Sequence, residues 1–144
     1  MKKNIFKKLL ISFVCICFIA TTNAQIKVPK AVENAFKTKF TNAQEVKWGK
    51  ENKNEYEADF KMEGKTYSAN FLKNGQWKET ESEISITELP ESVKKSYNIK
   101  HSNAAIKIIS KIETATGNLQ YEIEYKAAGK TKELVYNDQG IIIK

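Results

Sequence analysis

There is no arginine in this sequence of 144 residues; all 24 basic residues are lysine. Arginine supplies the planar fork that grips phosphates and base edges through paired hydrogen bonds, so its absence speaks against a dedicated nucleic-acid reader. The accompanying richness in Lys, Asn and Ile is what a biased nucleotide composition of the source produces. Histidine is nearly absent too. His101 stands alone, and a solitary imidazole cannot build a multi-histidine metal site. Cysteine stops at Cys17, which removes disulfides and thiol chemistry from everything downstream. The six glycines form no phosphate-binding loop, and no Ser/His/Asp spacing stands out. Carboxylates are plentiful, but they fall on the wet faces of strands rather than in an evident pocket with unequal environments. Glu79, Glu81 and Glu83 alternate and could hold Ca²⁺ weakly. No Asp/Asn/Gly loop frames them, so a solvated strand face is the better reading. An enzyme, a cofactor and a resident metal are therefore not expected.

Long apolar runs are missing as well, except at the start. "MKKNIFKK" is basic, "LLISFVCICFIA" is apolar but short for a membrane span, and Thr22-Asn23-Ala24 offers small residues for cleavage. Residues 1–24 read as a signal peptide cut after Ala24, with no stable membrane insertion afterwards; a retained membrane anchor is the alternative. Cys15 and Cys17 lie inside it without the small residues that precede a lipid-attachment site. Removing 24 of 144 residues leaves 120, enough for one ordinary core or two small coupled ones. Four lysines leave with the leader, so 20 remain against 17 acids, a net charge of +3.

What the mature chain does have is an internal repeat. "VPKAVENAFKTKFTNA" from Val28 matches "LPESVKKSYNIKHSNA" from Leu89 at an offset of 61, with His101 in the place of Phe40. "VKW" from Val46 resembles "IKI" from Ile106. "YEADF" from Tyr56 matches "YEIEY" from Tyr121 at an offset of 65, an offset kept by Gly64/Gly129, Phe71/Tyr136 and Gly75/Gly140. The chain thus divides into a first repeat over 25–86 and a second over 87–144. Each opens with a helix whose first turn accommodates Pro29 or Pro90. Val28, Val32, Phe36 and Phe40 make one apolar stripe; Leu89, Val93 and Tyr97 make the other.

Strands follow. Tyr56, Ala58, Phe60 and Met62 alternate with Glu57, Asp59, Lys61 and Glu63, a period of two with one face buried and one wet. A two-residue turn at Glu63-Gly64 pairs Phe60 with Tyr67, Ala58 with Ala69 and Tyr56 with Phe71. A turn at Ala128-Gly129 pairs Ile123 with Leu134 and Tyr121 with Tyr136. On the other face Glu124 then meets Glu133, tolerable only in water. The next turn has two forms. A two-residue turn at Asn74-Gly75 sets Trp77 beside Leu72 on the polar face. A three-residue loop with a left-handed Gly75 sets Trp77 against Phe71 on the core face. Gln139 in the second copy favours the three-residue loop. "KETESEIS" after it reads as a sheet-edge strand or a bridge to the second repeat.

The expected fold class is α+β: two tandem repeats, each one helix packed on an antiparallel sheet of three to four strands, the two able to join into one continuous sheet. Helices cover one face. The other stays open and polar, carrying Lys47, Glu57, Asp59, Lys61, Ser68 and Asn70. Leader, duplicated LP-x-x-V-K-x-x-Y helix, YE-x-x-F/Y strand and paired glycine turns together resemble the secreted PepSY-like, β-lactamase-inhibitor-like proteins, small exported proteins of Gram-negative bacteria. The resemblance spans Lys27 to Lys144. It implies a tandem α/β repeat whose sheet is compared with that of the β-lactamase inhibitor protein, and it brings no catalytic residues.

The function expected is an exported, non-catalytic binding module, periplasmic or secreted, that recognises a protein or peptide through the open sheet face or its edge, in the manner of an inhibitor. A structural, envelope-associated protein is the alternative. Candidate binding residues are Trp48, Trp77, Lys47, Asp59, Ser68 and Asn70. A contiguous apolar patch on the open face favours recognition; a uniformly polar face with both tryptophans buried weakens it.

Overall fold

The computed structural model describes residues 26–144; the leader read over residues 1–24 lies outside the described residues. Helix α1 (Lys30–Lys39) is followed by strands β1 (Gln44–Lys50), β2 (Glu55–Met62), β3 (Lys65–Leu72) and β4 (Trp77–Glu83). A single 3₁₀ turn leads into helix α2 (Glu91–His101), and β5 (Ala105–Thr114), β6 (Leu119–Ala127) and β7 (Lys130–Asn137) complete the chain. The strands form one seven-stranded antiparallel sheet in chain order. The acidic segment after Trp77 is the bridge: β4 pairs with β5 from Glu79↔Thr114 to Glu83↔Ser110. The prolines sit one step earlier than the first helical turn. Pro29 and Pro90 are the N-cap residues, extended in ψ, and their carbonyls accept the first helical N–H groups.

Both apolar stripes pack on the same sheet face, where they build two neighbouring cores. Val32, Phe36 and Phe40 lie on Tyr56, Ala58, Phe60, Ala69 and Phe71. Leu89, Val93 and Tyr97 lie on Ile109, Tyr121, Ile123, Tyr125 and Tyr136. Phe36 is central in the first core, its ring 5.1 Å from Phe60 and 5.2 Å from Trp48. Each fully buried large apolar side chain of this kind is worth roughly 1.5–3 kcal/mol.

The hairpin registers are those the alternation predicts: Phe60↔Tyr67, Ala58↔Ala69 and Tyr56↔Phe71 in the first, Ile123↔Leu134 and Tyr121↔Tyr136 in the second. Both turns have two consecutive positive φ angles, 53° and 75° at Glu63-Gly64 and 51° and 74° at Ala128-Gly129. Hairpin turns of this hand suit the sheet's twist, but Glu and Ala are poor occupants of their first position. Ala128→Asn is expected to raise stability by about 0.5–1 kcal/mol, read as a higher denaturant midpoint at unchanged slope.

At the next turn the three-residue loop is observed. Gly75 has φ +89°, the Leu72 N–H bonds the Gln76 carbonyl, and Phe71 faces Trp77. Trp77 is half-buried on the helix side; its Nε1 donates to Thr80 Oγ1 at 2.9 Å, and Lys39 Nζ lies 3.6 Å above its ring. One alignment slips by a residue. Trp48 pairs with Ala58, and the residue paired with the matching Ile123 is Ile109, not Ile108. Both strands carry a register shift just before this point, between Gln44 and Lys47 in β1 and between Ile106 and Ile108 in β5. The bulge turns the side chains after it onto the opposite face, so Trp48 and Ile109 point to the helices.

Candidate functional site

The face opposite the helices carries no helix among the described residues. Alternation puts Glu57 and Asp59 of β2, Ser68 and Asn70 of β3, and Glu79, Glu81 and Glu83 of β4 on it. Ile108, Ser110 and Ile112 of β5 join them, with Glu122 and Glu124 of β6. Of the six candidate residues, four meet here. Lys47 pairs with Asp59, Asp59 with Ser68, and Asn70 sits between Glu57 and Glu79. Trp48 and Trp77 do not join them. They lie on the helix side, where Trp48 lines a groove of about 340 Å³ with Phe36, Phe40 and Val46.

The open face is not uniformly wet. Glu122 and Glu124 keep only 5% and 6% of their exposure, and Ile112, Ser110 and Asn70 are buried as well. The Glu124–Glu133 pair, expected in water, is therefore partly withdrawn from it. A concavity of about 250 Å³ opens at the junction of the two halves, with Asp59, Ser68, Glu81, Ile108, Ser110 and Glu124 in its lining.

Acceptors crowd this junction. Ser68 Oγ donates to Glu57 at 2.7 Å, and Asn70 Nδ2 donates to Glu79 at 3.2 Å. Asn70 Oδ1 and Glu81 Oε2 are buried and accept no hydrogen bond. Burial pushes the Glu81 carboxyl up to about 8, reinforced by the charges of Glu122, Glu79, Glu57 and Glu51. Burial and the charges of Glu133 and Glu124 push Glu122 up to about 7, against the pull of Lys144. Asp59 is raised by burial and Glu57, with Lys47 opposing. Cations stand at the rim: Lys78 binds Glu55 at 2.9 Å, and Lys61 binds Glu45 at 2.7 Å. The sequence marks Glu79, Glu81 and Glu83 only as one strand's polar file. That Glu122 and Glu124 close on Glu81 depends on β4 pairing with β5, which no local pattern reports.

Among the described residues no group of three or more His, Cys, Asp or Glu side chains could hold a metal ion, and no helix is long and apolar enough to cross a membrane. The geometry is a shallow acidic surface rich in acceptors, with Ile108 and Ile112 on its floor.

The family model described as "Putative beta-lactamase-inhibitor-like, PepSY-like" matches this sequence twice, over residues 22–67 and 54–144. The chain belongs to this PepSY-like family. Solved structures agree on the fold. A DUF2874 family protein from Bacteroides ovatus aligns with a TM-score of 0.72 at 24% identity, covering 83% of this chain and 86% of its own. A structure from Bacteroides eggerthii described as "putative periplasmic proteins" gives 0.75 at 17% identity, with 83% and 88% covered. A BLIP-like protein from Bacteroides fragilis gives 0.68 at 22% identity, with 84% and 86% covered. No curated protein matches the chain. The PepSY-like chain thus shares its fold with these proteins across nearly all of its described length.

Proposed function

We propose that this protein is an exported, non-catalytic recognition module that binds a protein partner through its open sheet face. The reading takes residues 1–24 as a cleaved leader, residues 25–86 and 87–144 as duplicated repeats, and the periplasm as the place of action. The carrying observation is the concavity at the junction of the halves, lined by Asp59, Glu124 and Glu81, whose buried Oε2 accepts no hydrogen bond, with the unpaired Asn70 Oδ1 beside it on the same face. Such groups cost stability in the free protein, and a partner's donors would relieve that cost. Membership in a family described as inhibitor-like, and a fold shared with a BLIP-like protein, support a protein target and make β-lactamases the first enzymes to try. Trp48 and Trp77, on the helix side, are not part of the proposed surface.

Periplasmic extract offered to the mature protein should yield a saturable partner. Ser68→Trp, which fills the concavity, should weaken capture at least tenfold, while Lys95→Glu on the exposed side of α2 should leave it unchanged. A panel of β-lactamases and proteases assayed with the same three proteins checks inhibition directly. No saturable partner, or capture indifferent to Ser68→Trp, would sink the reading.

A further inference from the structure

Among the described residues, Glu81 Oε2 is buried in the lining of the concavity without a hydrogen bond, Glu124 lines it at 6% exposure, and the unpaired Asn70 Oδ1 lies beside it between Glu57 and Glu79. Glu122, on the second repeat like Glu124, is buried as well. A ligand that supplies hydrogen-bond donors satisfies these oxygens, and one that also brings positive charge favours the ionised forms of the acids around them. We propose that the concavity over β3–β6 seats a lysine or arginine side chain presented by the partner protein, a proposal that rests on the recognition reading above.

The chemistry narrows the occupant. Lysine and arginine carry donors and no acceptors, which is the complement of this surface. Their apolar stems suit a wall that includes Ile108, while the charged head meets Asp59, Glu81 and Glu124. A bare divalent ion fits poorly, because no three carboxylates converge at ligating distance among the described residues. The acidic surface also extends from Glu57 on β2 to Glu124 on β6, wider than one ion and of a size for a segment of chain.

Charge balance gives the site a signature. The groups facing Glu81 are Glu57 and Asp59 from β2, Glu79 and Glu83 from β4, Glu122 and Glu124 from β6, Glu51 after β1, Lys47 of β1 beside Asp59, and beyond these Glu133 of β7 with Lys144. β3 and β5 contribute Thr66, Tyr67, Ser68, Asn70, Ser110 and isoleucines to this patch, none of them a carboxylate or a cation. The acids hold protons against one another near neutrality, and an arriving cation favours their ionised forms. Docking should therefore expel protons.

The probe is a capped ten-residue peptide alternating lysine and threonine, titrated calorimetrically into the mature protein at pH 7 in phosphate and in Tris. Spermine, calcium chloride and the glutamate-for-lysine peptide run in parallel. The lysine peptide should bind and release protons, seen as a heat that depends on buffer. The Glu81→Gln/Glu122→Gln variant should bind at least tenfold more weakly and release none. Glu33→Gln/Glu91→Gln, with the same net charge, should stay within twofold. Failure to bind, or equal weakening in both variants, overturns the proposal. So does tighter binding of spermine or calcium that the first variant abolishes, which would make this a small-cation site. Partner capture lost in Ser68→Trp but indifferent to Glu81→Gln/Glu122→Gln would leave the recognition face standing and remove its cationic occupant.

Discussion

The mature protein should lose stability as the pH rises from about 5 to about 8.5, on the order of 3 kcal/mol. Glu81 and Glu122 carry the largest part, and burial raises Asp59, Glu51 and Glu124 in the same direction. The folded values of Glu81 and Glu122, about 8 and about 7, stand above the ordinary carboxyl value of 4.5. Between 4.5 and those values the native state binds more protons than the unfolded chain, so unfolding becomes easier with every step up in pH. The contribution is fully present below 4.5 and is lost as the pH climbs through the folded values. A shift of one unit corresponds to about 1.4 kcal/mol. The two shifts do not add, since Glu81 is raised partly by the charge of Glu122, and solvent reaching Glu81 weakens its share; the figure of about 3 kcal/mol allows for both. Tyr136, pushed up to about 12, titrates above this window. Urea midpoints at pH 5, 6, 7 and 8.5 measure the effect, with an unchanged slope showing that compactness is constant. Glu81→Gln/Glu122→Gln should flatten the profile and exceed the parent at pH 8.5. A parent profile that is flat or rising, or a slope undiminished in the variant, contradicts the assignment.

The same two residues mark where sequence reasoning runs out. Hairpin registers were legible because a slip of one residue would move Tyr56, Ala58 and Phe60 from the core face into water. The helix stripes were legible for a related reason, as Val32, Phe36 and Phe40 cover one side of α1. Trp48 was matched to the wrong isoleucine because a bulge adds a residue without leaving a signal in composition or alternation. Trp48 and Trp77 are candidate binding residues by sequence, yet both pack on the helix side. Alternation sorts residues between two faces but says nothing about how much water reaches either. Glu81, Glu122 and Glu124 therefore read as ordinary wet carboxylates. Their environment is set by the joining of the halves through β4 and β5, a contact between segments with a whole helix between them. The open face was visible in the sequence; its acidic, partly buried junction was not.

Gly75→Ala and Gly140→Ala should each cost about 3–4 kcal/mol, well beyond what a glycine turn alone explains. Both residues have positive φ, 89° and 77°, where a Cβ costs about 1–2 kcal/mol. The larger part comes from packing. A Cβ on Gly75 would stand 2.6 Å from the Ala31 carbonyl oxygen in the first turn of α1, and one on Gly140 would stand 2.5 Å from that of Ser92 in α2. These are backbone atoms of a helix start, so relief requires moving the helix off its turn, comparable to overpacking a core. Ser92 Oγ ties the second contact further by donating to the Asp138 carbonyl at 2.6 Å. In both halves the glycine turn is thus the point where the helix start packs directly on the loop. Gly64 and Gly129 supply the comparison: their φ angles are 75° and 74°, and nothing lies within 4 Å of a built Cβ. Gly64→Ala and Gly129→Ala should lose only the conformational part, about 1–2 kcal/mol. At about 3–5 °C per kcal/mol for a domain of this size, melting temperatures should separate the two pairs by several degrees. If all four variants melt together, the glycines serve only turn geometry, and the docking of helix starts on the loops contributes nothing measurable.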